Sequence, residues 1–147
     1  MDLCRSDLKQ ISFVVRGEPK GKGRPRFTKT GRVYTPAETT RYERLVAFSY
    51  EEAAMGYKFT SPVKVTVNAF HTPPKGKSKK VVGDMLSGHI LPTKKPDADN
   101  VAKIILDGLN HVAWDDDTQV VEMTVTKGYF VEPFVSVTIE EINAKRC

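Results

Sequence analysis

Apolar residues alternate through Ile11, Phe13 and Val15 in "ISFVVRG" (Ile11 to Gly17), the period-two pattern of a strand with one buried face. Glycine, proline and basic residues then break the pattern in "EPKGKGRPRFTKTGRVYT", which predicts a loop or an irregular hairpin arm. A helix follows, with Thr35 as N-cap, Pro36 at N1 and Glu38 at N3 forming a capping box. Tyr42, Leu45, Val46 and Ser49 recur at helical spacing, and Gly56 offers a stop. Alternation returns in "PVKVTVNAF" (Pro62 to Phe70) through Val63, Val65, Val67 and Ala69, predicting a second strand. "HTPPKGKSKK" reads as a lysine-rich loop, and "KKVVGDMLSG" fits a short helix. After Asp99, the residues Val101, Ile104, Ile105, Gly108 and Val112 form one apolar stripe, while Asp99, Lys103, Asp107 and Asn110 fall opposite. Asp97, Asp99 and Asn100 are each candidates for the N-cap of this helix. "QVVEMTVTKGYF" and "PFVSVTIEEI" return to period two, and the short link "VEP" predicts an antiparallel hairpin. The expected architecture is α+β: a single domain over residues 1–147, with a mixed, mostly antiparallel sheet and helices packed on it. Residues 1–9 read as a flexible tail and residues 18–34 as a basic arm.

Charge changes this picture more than composition does. The net charge of +5 is unevenly spread. From Arg16 to Arg32 there are seven basic residues against one acid, Glu18. From His71 to Lys95 there are six lysines against one acid, Asp84. From Pro96 to Glu122 the balance inverts, with seven acids and one base, Lys103. Basic segments attract phosphate. An acidic segment beside them repels it unless a divalent cation intervenes. No apolar run approaches the roughly 18 residues of a membrane-spanning helix, and the N-terminus lacks the apolar block of a signal peptide. Cys4 and Cys147 lie at opposite ends and form neither a disulfide framework nor a metal spacing, which points to a reduced, cytoplasmic setting.

The acids carry the sharpest chemical signal. Residues i and i+2 of an extended segment point to the same side. Pro96 favours an extended Lys95, so Asp97 and Asp99 are expected to aim two carboxylates at one point at a helix N-terminus. Alone, such a pair reads more readily as a helix cap with a surface acid. The second cluster, Asp115, Asp116 and Asp117, alters that weighing, because a helix running out and a strand returning can bring the two together. Carboxylates about 4 Å apart repel by roughly 4 kcal/mol at an effective dielectric near 20, so crowding them calls for a cation. Their hard oxygens suit Mg²⁺ or Mn²⁺. Lys103 either makes i,i+4 ion pairs with Asp99 and Asp107 or contacts a phosphate. Lys20, Lys22, Arg24 and Arg26 occupy every second position of the arm and can track a phosphate backbone together with Arg32, with Gly21 and Gly23 allowing close approach. Lys75, Lys77, Lys79 and Lys80 form a second basic patch. A solvated basic loop is the plainer account of either patch. "GKS" at Gly76 lacks the first glycine of a P-loop, and "GKG" at Gly21 lacks the third glycine of a dinucleotide fingerprint. His71, His89 and His111 show no ligand spacing.

"PTKKPDADNVAKIILDGLN" followed by "AWDDDTQVVE" closely resembles the RusA family of Holliday junction resolvases, crossover junction endodeoxyribonucleases found in prophages and bacteria. "GKGRPRFTKTGRVYTP" resembles the N-terminal part of the same family, so the likeness covers most of the chain. The spacing D-x-D-N-x-x-K, then D-G-L-N, then W-x-D-D-x-Q is long and specific. The resemblance implies a Mg²⁺-dependent nuclease that acts as a homodimer on four-way DNA in recombination and repair. It implies catalytic roles for Asp97, Asp99, Asp117 and Lys103, with the three aspartates as metal ligands and Asp116 as a further candidate. Asp115 departs from the family pattern and offers the metal a third acid in the triplet. Other readings are a metal-dependent nuclease acting on flaps or forks, a non-catalytic DNA-binding protein of the same fold, and a basic interaction domain with a solvated acidic turn.

Overall fold

The computed structural model describes residues 8–23, 26–34 and 36–142. Strands β1 (Gln10–Arg16), β4 (Val63–His71), β5 (Val120–Tyr129) and β6 (Phe134–Glu141) make one sheet in the order β1–β6–β4–β5. Between β1 and β4 the chain forms a small separate hairpin, β2 (Arg26–Phe27) with β3 (Val33–Tyr34), and then helix α1 (Ala37–Ala54). Helices α2 (Lys79–Leu86) and α3 (Ala98–Leu109) lie between β4 and β5. The sheet is mixed: β6 is antiparallel to β1 and to β4, and β4 is parallel to β5.

The expected hairpin between the last two strands is not formed, because β4 lies between them. Period two identifies a strand but not its neighbour. Strands flanking a third are about 10 Å apart. The link between β5 and β6 can reach about 13 Å, so its shortness does not force pairing. Phe130 N–H bonds His71 O at 2.9 Å where the link passes the end of β4. Its ring packs on Phe134 at 5.7 Å, and Phe134 packs on Phe70 at 4.8 Å. Gly128 accommodates this cluster, since a Cβ there would lie 3.3 Å from Phe70.

Helices α1 and α3 pack together, with α1 beside β1 and α3 beside β5. Val63, Val65, Val67 and Ala69 of β4 are fully buried in the core, as are Val135, Val137 and Ile139 of β6. In α1 the buried positions are Thr39, Tyr42, Val46, Tyr50 and Ala54. Leu45, expected on that stripe, is instead 40% exposed. Pro36 is the residue before α1 rather than its first turn: its ψ of 144° is extended and no side chain caps the helix there. Thr35 lies outside the described residues. The helix ends at left-handed Met55 and Gly56, with φ of 51° and 87°.

Helix α3 buries Val101, Ile104, Ile105, Gly108 and Leu109. Burial of each large apolar side chain is worth about 1.5–3 kcal/mol, so this stripe anchors α3 without help from its polar edge. Val112, placed on the stripe from sequence, lies beyond the helix and packs half-buried against the core. Gly108 sets how closely the helices cross, because a Cβ there would meet Glu43 O and Val46 Cβ at 2.9 Å. Lys9, placed in the tail from sequence, is held to β6: its N–H bonds Glu141 Oε1 at 2.8 Å, and Glu141 N–H bonds Lys9 O at 3.0 Å. Residues 1–7 lie outside the described residues.

Candidate active site

Asp97 is the N-cap of α3 and Asp99 lies in its first turn. The extended pair expected from sequence is therefore a cap and a helical residue. Asp97 has extended backbone, but its carboxylate makes no capping bond. Both carboxylates are exposed and, among the described residues, neither has a hydrogen-bond or ion-pair partner. The positive end of the helix dipole favours negative charge at this position.

Lys103 follows one turn later, exposed, and its expected pairs with Asp99 and Asp107 are absent among the described residues. Asp107 instead takes Lys22 from the arm, with Nζ 2.9 Å from Asp107 Oδ2 and 2.5 Å from Glu43 Oε2. Partial burial opposes charge on Lys22, but the bonds to Asp107 and Glu43 outweigh it and hold the ammonium above the usual lysine value. Lys22 was expected to face DNA, and it ties the arm to α1 and α3 instead. Its N–H also bonds Asn100 O at 3.0 Å. Gly21 and Gly23 serve the same junction rather than an approach to phosphate. A Cβ on Gly21 would lie 2.7 Å from Pro96 Cβ, and one on Gly23 would lie 2.6 Å from Thr39 Oγ1. Upstream, Glu18 bonds His71 Nδ1 at 3.0 Å and Thr72 Oγ1 at 2.9 Å. The root of the basic arm is thus fastened beside the acidic end of α3.

The acidic triplet is organised differently. Asp115 is 77% exposed and pairs with Lys58 at 3.0 Å. Asp116 precedes a short 3-10 turn and shares a capping box with Gln119. The Gln119 amide nitrogen then donates to Phe59 O at 3.0 Å and Ser61 O at 3.1 Å, fixing the turn to the loop before β4. Asp117 is half-buried, and its Oδ1 accepts from the indole N–H of buried Trp114 at 2.8 Å. Burial raises the Asp117 pKa, the Trp114 bond opposes that, and the charges of Asp107 and Asp116 raise it further. His111 opposes these charges, but the net shift is upward. His111 turns the chain here, with φ of 67° and Nδ1 donating to Asp115 O at 2.6 Å.

The two clusters approach along α3 without merging. Asp99 and Asp107 are eight residues apart, about 12 Å along the axis, and Asp117 senses Asp107. Among the described residues, no three acidic, histidine or cysteine side chains are gathered at metal-binding spacing. In chemistry, though not in spacing, these carboxylates are hard-cation donors: Asp97 and Asp99 have no partner among the described residues, and Asp117 lies near Asp107 and Asp116. Trp114 and Gln119 belong to the W-x-D-D-x-Q motif, but their bonds, like the Lys22 pairs, do not follow from the sequence pattern. The available signal was the tryptophan three residues before Asp117, since a buried indole N–H needs an acceptor.

The basic groups expected to meet DNA are placed as follows. Lys20 and Arg26 line a cleft with Gly21, Gly23 and Thr39, and Arg32 is exposed in the β2–β3 hairpin beside exposed Phe27 and Tyr34. Arg24 lies outside the described residues. Lys75 and Lys77 are exposed in the loop before α2, and Lys79 and Lys80 open that helix, where the dipole disfavours cations. Only Lys80 of these four has a carboxylate partner among the described residues, Asp84 at 3.3 Å.

Comparison with known proteins identifies the family to which this α+β scaffold and its acid-edged helix belong. The family model described as "Endodeoxyribonuclease RusA" matches residues 16–140, and the chain belongs to that family. RusA proteins are Holliday junction resolvase endonucleases that act on branched DNA and are generally divalent-metal dependent. The chain is also 38% identical over 139 residues to the uncharacterised protein YqaN of Bacillus subtilis (strain 168), covering 91% of this chain and 98% of that protein. Among the described residues, no helix is long and apolar enough to cross a membrane.

Proposed function

We propose that the chain is a Mg²⁺-dependent endodeoxyribonuclease that resolves four-way junctions by paired symmetric nicks, acting as a homodimer. The observation that carries this reading is the bare polar edge of α3. Asp97 and Asp99 stand open at its start, Lys103 follows unpaired among the described residues, and a basic arm is fastened alongside.

In this reading Asp97, Asp99 and Asp117 would hold the ion, which would draw the two separated clusters together through oxygen ligands of the kind Mg²⁺ prefers. Asp116 is the alternative within the triplet, and Asp115 is set aside because Lys58 already engages it. A bound ion neutralises phosphate charge and makes the attacking water more acidic. The chain's own residues supply orientation. The α3 N-terminus presents two carboxylates, and Trp114 fixes the third by its indole N–H. Lys103 brings an ammonium to phosphate oxygens as negative charge develops in the transition state. Lys20, Arg26 and Arg32 on the arm, and Lys75, Lys77, Lys79 and Lys80 in and after the loop before α2, hold DNA by its backbone. A four-way junction has approximate two-fold symmetry and needs two matched cuts. One chain carries one acidic set, so a symmetric dimer supplies both.

The test is incubation of the purified protein with a synthetic mobile four-way junction, a fork and a flap of matched sequence. In Mg²⁺, paired symmetric nicks on the junction alone are expected, and EDTA abolishes them. Equal cutting of fork and flap would redirect the assignment to general branched DNA. An uncut junction that still binds would favour a non-catalytic binding protein.

A further inference from the structure

Lys22 and Lys103 have opposite surroundings on the same helix edge. Lys22 reaches in from the arm root, with its side chain only 25% exposed and two carboxylates on its ammonium. Lys103 lies one turn before Asp107, the geometry of a helical ion pair, yet has no partner among the described residues. Lys22 is held there by more than charge: its N–H bonds Asn100 O at 3.0 Å and the preceding Gly21 lies against Pro96. A fixed, partly desolvated ammonium wins Asp107 over an exposed, flexible one, because an exposed pair is screened by solvent and costs side-chain entropy.

We propose that Lys22 is a positioning residue for cleavage: by occupying Asp107 it keeps the Lys103 ammonium free for the scissile phosphate. The inference rests on the role given to Lys103 above. Without Lys22, Asp107 and Glu43 lose their shared cation, and Lys103 is the nearest replacement along α3. Lys103 would then be drawn toward Asp107, one turn away from the open carboxylates.

Four variants test this: Lys22→Met, Lys22→Arg, Asp107→Asn and the Lys22→Met/Asp107→Asn double. Lys22→Met should lower the cleavage rate of a saturating four-way junction in Mg²⁺ about tenfold, with affinity in EDTA unchanged within about twofold. Removing the competing acid should restore it, so the double variant recovers to within about threefold of wild type, as do Lys22→Arg and Asp107→Asn alone. A purely structural bridge between α1 and α3 predicts only the part of the rescue that comes from relieving repulsion between Asp107 and Glu43, and it leaves the Lys103 signals unmoved in every variant. A direct grip of Lys22 on DNA predicts weaker affinity in both Lys22→Met and the double. The Lys103 side-chain NMR signals give a readout independent of activity: they should move in Lys22→Met and return in the double. Unmoved signals, absent rescue, or an Asp107→Asn variant as inactive as Asp99→Asn would each overturn the proposal. If wild type leaves the junction uncut while the Lys103 signals respond as expected, the functional reading fails and the competition for Asp107 stands.

Discussion

The acids at Asp97 and Asp99 differ from those at Asp115 to Asp117 in what the rest of the molecule asks of them. The first two have no partner among the described residues, and their helix is anchored by a separate apolar stripe. The triplet is bonded into its surroundings through Trp114, Gln119 and Lys58. A side chain with no bonded partner, held only by the weak pull of the helix dipole, can be altered at little cost to folding, so its loss registers chiefly in chemistry. A bonded side chain mixes the two effects. The sharpest test of this contrast is Asp99→Asn. Cleavage in Mg²⁺ should fall by at least about 100-fold, or roughly 2.7 kcal/mol of transition-state stabilisation. Junction binding should persist and stability should stay within about 0.5 kcal/mol, as for a surface change. Parallel cleavage, binding and denaturation curves decide it. A variant that cuts normally removes Asp99 from the site, and one that unfolds removes the contrast.

The same contrast is read from the bonded side with Trp114→Phe. The ring is fully buried and its N–H fixes Asp117. Phenylalanine leaves a void and no donor, so stability should drop by about 1–3 kcal/mol. Cleavage should fall about tenfold even where the variant is fully folded, because Asp117 loses its orientation. Normal cleavage by the folded variant would mean that Asp117 needs no support.

Cations divide in the same way. Lys22 is bonded internally, whereas Lys75 and Lys77 have no carboxylate partner among the described residues. Changing Lys75 and Lys77 to Gln should weaken junction binding a few-fold and lower the salt slope by about one for each phosphate no longer neutralised. A salt series at fixed Mg²⁺ measures both. An unchanged slope would take this loop off the DNA surface.

These differences also explain what could be read from the residues alone. The strands and the α3 stripe were legible because burial imposes a local period, and that stripe also fixed the start of α3 at Asp97 and Asp99, though as a cap and a helical residue and not as the extended pair expected. The neighbour of β5 was not, since Val120–Tyr129 has the same pattern whether it pairs with β6 or β4. Leu45 misled because α1 turns a narrower face inward than its apolar residues suggest. The fate of Lys22 was hidden because its partners come from two helices distant in sequence, and alternation along the arm says nothing about either. Gly21 and Gly23 signalled a close approach correctly, but not to which body.

Glu18 stands at the bonded extreme, since both of its oxygens are taken by His71 and Thr72 at the arm root. Burial alone would push its pKa up, but the hydrogen bonds from His71 and Thr72 outweigh that and hold it below the usual 4.5. A carboxyl lowered by folding stabilises the fold above its unfolded value and loses that contribution as pH falls through the folded one. Glu18→Gln cannot ionise, so wild type should exceed it in stability at neutral pH, with the gap closing as pH drops below 4.5. With the side chain 42% exposed, solvent screening keeps the gap to about 0.5–1 kcal/mol. Denaturant titrations of both proteins from neutral to acid pH measure it. A gap independent of pH would show that the bonds to His71 and Thr72 do not depend on charge, and the arm root would then be fastened chiefly by Lys22.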